Sequence, residues 1–306
     1  MFPSVVEVLG SWRDITRFSP ASLGGMAALQ LAALACLWAL QRVALRAPRW
    51  RPVITSQLAG NALAKVAPGG GALGSALQYR MLVQAGLPPA ATVSALTVVN
   101  LLVFAVVLAL PVLAIPALLR GSVDRTLLET AVVGMVIFVV ACALGALLLS
   151  TDRPLAWIGR QIQALRNRLR RKAEPLHRLP ERLLHERDRI LQTLGPRWKR
   201  ALTATVGRWT FDYLTLLAAL AAIGAHPRPG LVLLAFCGAQ VLAQIPVTPG
   251  GLGFVEAGLT AMLALAGVSA GDAVLATFAY RLFSYWMPLP LGLAAFALHR
   301  SAAARG

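Results

Sequence analysis

Long uncharged runs that alternate with short basic clusters constrain this chain more than any other feature. Residues 23–40, 92–119, 127–149, 201–223 and 273–298 form five runs that reach or approach the length of a helical bilayer crossing, for which about 20 mostly apolar residues suffice. Composition agrees: 58% of residues are hydrophobic and 13% charged, whereas a soluble domain carries about a quarter charged residues. The expectation is an all-α polytopic integral membrane protein, with residues 1–306 forming a single transmembrane domain. The first run is followed by Arg42, Arg46, Arg49 and Arg51 with no small-residue cleavage site before them, so it reads as a retained anchor rather than a signal peptide.

The net charge of +17 is concentrated. Fourteen of the 29 Lys and Arg lie in residues 151–200, against five acids there. Short basic loops of membrane proteins face the cytoplasm, which accounts for the asymmetry without nucleic acid. No nucleic-acid partner is expected. Within 151–200, Trp157, Ile158, Ile162, Leu165 and Leu169 fall at helical spacing among arginines, and a second helix is expected over 181–194. This basic amphipathic segment either lies on an anionic leaflet or simply fixes topology. With 151–200 and the loop 42–51 inside, parity puts both ends of residues 53–89 on the cytoplasmic face. Both ends of 231–271 fall on the external face, and the C-terminus lies inside. Trp50, Trp157 and Trp198 fall at the cytoplasmic boundaries, where interfacial anchors belong.

Those two same-side segments resemble each other. One reads Asn61-Ala-Leu-Ala-Lys-Val-Ala-Pro68-Gly69-Gly70-Gly71-Ala-Leu-Gly74, the other Gln240-Val-Leu-Ala-Gln-Ile-Pro-Val-Thr-Pro249-Gly250-Gly251-Leu-Gly253. With Pro68 set on Pro249, Met81 meets Met262 and Gly86 meets Gly267 without a gap. Half-segments such as 54–66 and 72–85 are too short to span. Apolar stretches broken by Pro and Gly at corresponding places in two halves point to discontinuous helices at a transport site. The expected architecture is about five full crossings plus two re-entrant helical hairpins in an inverted repeat. The alternative is that each Pro-Gly-Gly is a tight turn between ordinary helices.

Ionisable groups at membrane depth are functional candidates, since inserting each costs about 2.5–3.5 kcal/mol. Lys65 and Arg80 either flank a phosphate or snorkel to the interface. Asp212 follows Arg208 by four residues, a spacing for a local ion pair or for a headgroup contact. A half-helix starting at Gly70 or at Gly251 would aim unpaired N–H groups at an anion, with Gly71 and Gly250 beside those starts. The three cysteines, Cys36, Cys142 and Cys237, sit far apart in apolar runs and read as inert thiols. No metal or cofactor is expected. Gly69-x-Gly71-x-x-Gly74 lacks the preceding strand of a dinucleotide site, and there is no P-loop.

Pro249-Gly-Gly-Leu-Gly-Phe-Val-Glu256-Ala-Gly, followed by Ala279-Tyr-Arg281-Leu-Phe-Ser-Tyr285-Trp286-Met-Pro288, resembles the signature of the lysylphosphatidylglycerol synthase transmembrane region, or flippase-like, family. Pro68-Gly-Gly-Gly-Ala-Leu-Gly is similar to its first half. The resemblance implies a multi-pass protein of the bacterial inner membrane that flips aminoacylated phosphatidylglycerol. In the family a separate soluble domain synthesises that lipid, and a chain ending at Gly306 is expected to lack it. The resemblance places Glu256, Arg281 and Tyr285 in the family motifs. Glu256 and Arg281 are expected to pair, either at the substrate or as a structural lock.

The function expected is therefore movement of a phospholipid between leaflets, not catalysis. Expected partners are a membrane phospholipid, anionic lipid at the cytoplasmic surface, and either a second copy of the chain or a separate lipid-synthesising enzyme. Substrate binding is expected at Glu256, Arg281, Asp212, Lys65, Arg80, Gly70, Gly71, Gly250, Gly251 and Tyr285. Two alternatives are a transporter of a polyprenyl-linked sugar or small solute, and an integral membrane glycosyltransferase-type enzyme. The last is disfavoured by the lack of a clustered Asp pair or His-rich site.

Overall fold

The computed structural model describes residues 18–67, 70–111, 151–169, 195–243 and 248–303, with isolated positions between 136 and 192. Every described element is helical. Helix α1 (Pro20–Leu45) starts where Ser19 Oγ accepts the Ser22 N–H at 3.1 Å and Pro20 presets the first turn. It stops at Arg46, whose backbone is left-handed at φ 50°. Next come α2 (Trp50–Val66), α3 (Gly70–Gln84) and α4 (Pro89–Ala109). After the basic helix α5 (Asp152–Leu169) follow α6 (Trp198–Ala222), α7 (Pro229–Leu242), α8 (Phe254–Leu265) and α9 (Ala270–Arg281). A π-helical turn, Leu282–Trp286, joins α9 to α10 (Pro288–Ala303).

Among the described residues, three helical stretches are long and apolar enough to cross a membrane: Pro20–Leu45, Pro89–Ala109 and Ala270–Ser301. They contain or overlap the first, second and fifth expected crossings. The fourth, 201–223, coincides with α6, which is long but carries Lys199, Arg200, Arg208 and Asp212. The crossing expected at 127–149 and most of the helix expected at 181–194 lie outside the described residues, as do Cys142, Pro68 and Gly69. On α5, Trp157 and Ile162 are exposed, as are the boundary tryptophans Trp50 and Trp198.

Packing follows from small residues and one aromatic cluster. Helix α2 is held between α3 and α10 at very close range. A Cβ on Gly60 would lie 2.7 Å from the Gly74 carbonyl oxygen, one on Gly74 would meet that of Gly60, and one on Gly292 of α10 would meet that of Leu58. Backbones can approach so closely only where side chains are absent, the device by which helices associate without a hydrophobic gradient. Helices α4 and α6–α9 share the main core. In it Trp209 packs edge-on against Phe236 at 6.0 Å, and Phe236 against Tyr280 at 6.3 Å. Trp209 Nε1 donates to the Val103 carbonyl of α4 at 2.9 Å, which ties α6 to α4.

The backbone itself repeats at the register read from the sequence. Helices α3 and α8 end at Gln84 and Leu265, and are followed by Gly86 at φ 90° and Gly267 at φ 91°. Ala85, Gly86 and Leu87 donate to the carbonyls of Met81, Val83 and Leu82; Ala266, Gly267 and Val268 donate to those of Met262, Ala264 and Leu263. The next helices start at Pro89 and Ala270, the same 181 residues apart. A glycine in the left-handed region after the last turn satisfies the final carbonyls, so one local rule ends both helices. Helix α9 adds a side-chain cap: Ser269 Oγ accepts the Asp272 N–H at 3.2 Å and donates to Asp272 Oδ2 at 2.6 Å. Ser269→Ala is expected to destabilise the protein by about 1 kcal/mol, read as a lower melting temperature in detergent.

Candidate functional site

The two helix breaks meet. Lys65, in the last turn of α2, extends Nζ to the carbonyls of Ser284 (2.6 Å) and Tyr285 (3.2 Å) in the π-turn. Tyr285 returns the contact, its hydroxyl donating to the Lys65 carbonyl at 2.8 Å. Gly250 lies against the same carbonyl, so close that a Cβ there would lie 2.7 Å from it. Orphan carbonyls at the end of α2 and within the π-turn are thus satisfied by side chains of the other half. Tyr285→Phe should weaken this clasp by about 1 kcal/mol, measurable as a melting-temperature drop that Tyr285→Trp does not rescue.

Glu256 and Arg281 are brought together, with Arg281 Nε donating to Glu256 Oε1 at 2.6 Å and both side chains largely buried. The second carboxylate oxygen, Oε2, accepts the Gly253 N–H at 2.7 Å. Arg281 Nη2 reaches the Gly250 carbonyl at 3.4 Å, and its guanidinium stacks 4.5 Å from the Tyr285 ring. The pair therefore locks α8, the Pro249–Gly251 turn and the end of α9 to one another.

Helix α8 corrects one sequence expectation. A half-helix beginning at Gly251 is not formed; Gly250, Gly251 and Gly253 have φ of 61°, 72° and 79°, and α8 starts at Phe254. Left-handed residues cannot continue a right-handed helix. The Gly253 N–H at this N-terminus is already taken by Glu256. On the other side, α3 does start at Gly70, so close to α2 that a Cβ there would collide with the Ala64 backbone.

Between the breaks lies a cavity of about 600 Å³. Gly70, Gly71, Gly250, Gly251, Lys65, Asp212, Arg281 and Tyr285 line it. Glu256 is not on its wall and stands behind Arg281. Arg80 does not reach it either and is exposed on α3. Asp212 is buried and accepts the Tyr280 hydroxyl at 3.1 Å; that hydroxyl in turn accepts from Gln240 Nε2 at 2.9 Å. Arg208 stacks 4.0 Å over the Trp209 ring, and among the described residues no Arg208–Asp212 ion pair forms.

Sequence reasoning missed most of the wall. Gln30 and Gln41 come from α1, Gln57 and Asn61 from α2, Gln78 from α3, Asn100 from α4 and Gln240 from α7. Several are oriented by the protein: Trp38 Nε1 donates to Gln57 Oε1 at 2.8 Å, and Gln78 Nε2 to Gln41 Oε1 at 2.9 Å. An amide used on one side keeps its other half for a guest. The signal was present in the sequence, since uncharged polar residues interrupting apolar helices are themselves unusual at membrane depth.

The cavity is thus polar, amide-rich and cationic, within helices that are otherwise apolar. Comparisons with known proteins agree with a membrane setting. The chain is 28% identical over 183 residues to a UPF0104 membrane protein of Methanothermobacter thermautotrophicus, covering 57% of this chain and 53% of that protein. A second UPF0104 membrane protein of the same organism is 29% identical over 91 residues, covering 30% of this chain and 26% of its own length. The matches span about half or less of the length of these curated relatives. No solved structure matches the chain. The family described as the lysylphosphatidylglycerol synthase TM region matches residues 6–292, nearly the whole sequence, and the chain belongs to that family of membrane proteins.

Proposed function

We propose that this protein moves a phospholipid between leaflets, its headgroup passing through the cavity while the acyl chains stay in the bilayer. The observation that carries the reading is a polar space of about 600 Å³, walled by amides and by Lys65, Arg208 and Arg281, where two broken helices meet. A phosphate would be held by the cations and by the first turn of α3. In this reading the protein has about five crossings, with α2–α3 and α7–α8 as re-entrant hairpins of an inverted repeat. Their helices have 17, 15, 14 and 12 residues, so at about 1.5 Å per residue none reaches the roughly 30 Å of a bilayer core. The contact between the breaks adds support, because turns entering from opposite faces can touch only if both stop at a shared depth. The basic segment 151–200 and the C-terminus face the cytoplasm of a bacterial inner membrane.

Two measurements test this. In proteoliposomes with leaflet-resolved fluorescent lipid, wild-type protein should move phospholipid faster than protein-free vesicles, and Glu256→Gln and Arg281→Ala should each slow it. Unchanged movement in both variants would remove the pair from the mechanism, and no movement of any phospholipid by wild type would sink the reading. Cysteines at Arg49 and Gly86 should react with an impermeant reagent from one face, and those at Arg228 and Gly267 from the other. Cysteine at Ala67 reacting rapidly from the face opposite Arg49 would show α2 to be a through-going helix.

A further inference from the structure

We infer that the cavity selects a phosphodiester headgroup that carries hydroxyl groups and no amine; this rests on the transport reading above and names its substrate class. Both acids already have hydrogen-bond partners. Both Glu256 oxygens are engaged, by Arg281 Nε and the Gly253 N–H, and Asp212 takes the Tyr280 hydroxyl. Lys65, Arg208 and Arg281 against Asp212 and Glu256 leave one net positive charge at the site. That favours a monoanion and repels an aminoacylated or other cationic headgroup, since a buried charge demands an opposite partner.

Two buried polar atoms say what the guest must offer. Gln30 is only 6% exposed and Gln30 Oε1 has no hydrogen-bond partner; Arg208 Nη1 is likewise buried and unpartnered. Both residues line the cavity. Buried polar atoms without partners are rare in proteins and mark sites completed by something else. Arg208 Nη1 is a charged donor and calls for an acidic oxygen. Gln30 Oε1 is an acceptor and calls for a donor, which in a cavity of net positive charge a hydroxyl supplies without adding to that charge. Hydroxyls both donate and accept, and so do the amides of Gln57, Asn61 and Gln240 around them. A glycerol, inositol or sugar phosphodiester meets all of these demands. A bare phosphodiester leaves Gln30 unsatisfied, and an ethanolamine or lysyl headgroup sets an ammonium against Arg208.

The test uses phosphatidylcholine liposomes carrying tracer lipids with a fluorescent tail. Phosphatidylglycerol should move about tenfold faster than phosphatidylmethanol, which has the same charge and no hydroxyl, because a site built to bond a hydroxyl rejects the analogue lacking it. Phosphatidylethanolamine and lysylphosphatidylglycerol should be slower than phosphatidylglycerol. Gln30→Leu should bring the phosphatidylglycerol and phosphatidylmethanol rates together; both are read in one preparation, so partial misfolding lowers both and leaves their ratio. Phosphatidylmethanol keeping pace in wild type, or a preference for either amine lipid, overturns the inference while lipid transport stands. Soluble glycerophosphoglycerol separates the two readings: if it raises the melting temperature of purified protein and no lipid moves, the headgroup assignment holds and the lipid reading falls. If no lipid moves and glycerophosphoglycerol gives no larger shift than glycerophosphoethanolamine, the inference is overturned as well.

Discussion

Arg281→Ala is expected to destabilise the purified protein by about 3 kcal/mol, the range seen when one partner of a buried pair is deleted, and to slow lipid movement at least tenfold. The deletion leaves the Glu256 carboxylate, with 14% of its side chain exposed, facing only the Gly253 N–H. It also frees the Gly250 carbonyl and uncovers the Tyr285 ring. Glu256→Gln is milder, because an amide still accepts from Arg281. The informative variant is the double substitution Glu256→Gln with Arg281→Met, which removes both charges and keeps the volume. Thermal unfolding should recover most of the loss, with a coupling of about 2 kcal/mol between the two positions. Transport then separates two roles for the pair. If Arg281 meets the phosphate, the double variant is stable and still slow; if the pair is only a lock between α8 and α9, stability and movement return together. Additive stability losses would show that the 2.6 Å contact is not energetically coupled.

What the sequence made legible follows physical rules of short range. The register of Gly86 with Gly267 was legible as an alignment, and in the structure each glycine follows a helix end because a left-handed C′ glycine is a local requirement, met identically in both copies. The Glu256–Arg281 contact was legible because charges at membrane depth must find one another. The start of α8 was not. Pro249-Gly-Gly reads as a helix opening, whereas the positive φ of Gly250, Gly251 and Gly253 delays the helix to Phe254 and hands its first free N–H to Glu256. Arg80 was drawn in by its nearness to Pro68 along the chain, but its place on α3 turns it to the surface. The amides went unread because attention to formal charge passes over groups such as Gln30 and Gln41, which lie eleven residues, or about three turns, apart on one face of α1. Their convergence with Gln57, Gln78 and Gln240 is a property of packing between distant helices, and no window of sequence contains it.

Gly250→Ala is expected to be far more damaging than alanine at Gly86 or Gly267, because at Gly250 two penalties coincide. Its φ of 61° disfavours any side chain, a cost of about 1–2 kcal/mol. Gly86→Ala and Gly267→Ala should show that backbone term alone, since a Cβ at either meets nothing within 4 Å. At Gly250 the new Cβ would also lie 2.5 Å from Tyr285 Cε2 and 2.7 Å from the Lys65 carbonyl oxygen, and that carbonyl belongs to a helix end already held by the Tyr285 hydroxyl. Relief requires the two breaks to separate, which also releases Lys65 from Ser284 and Tyr285. A total loss of about 3–4 kcal/mol is expected, the strain term plus overpacking of about 1–3 kcal/mol, together with loss of lipid movement. Gly71→Leu makes the complementary case: Gly71 lines the cavity and a Cβ there meets nothing within 4 Å, so the side chain should fill the passage and slow transport with under about 1 kcal/mol lost. Melting temperatures and transport rates for the four variants give a ranking. Equal losses at Gly250, Gly86 and Gly267 would mean that contact between the two broken helices contributes nothing beyond backbone strain, and a cavity bounded by that contact could not then be the route of the headgroup.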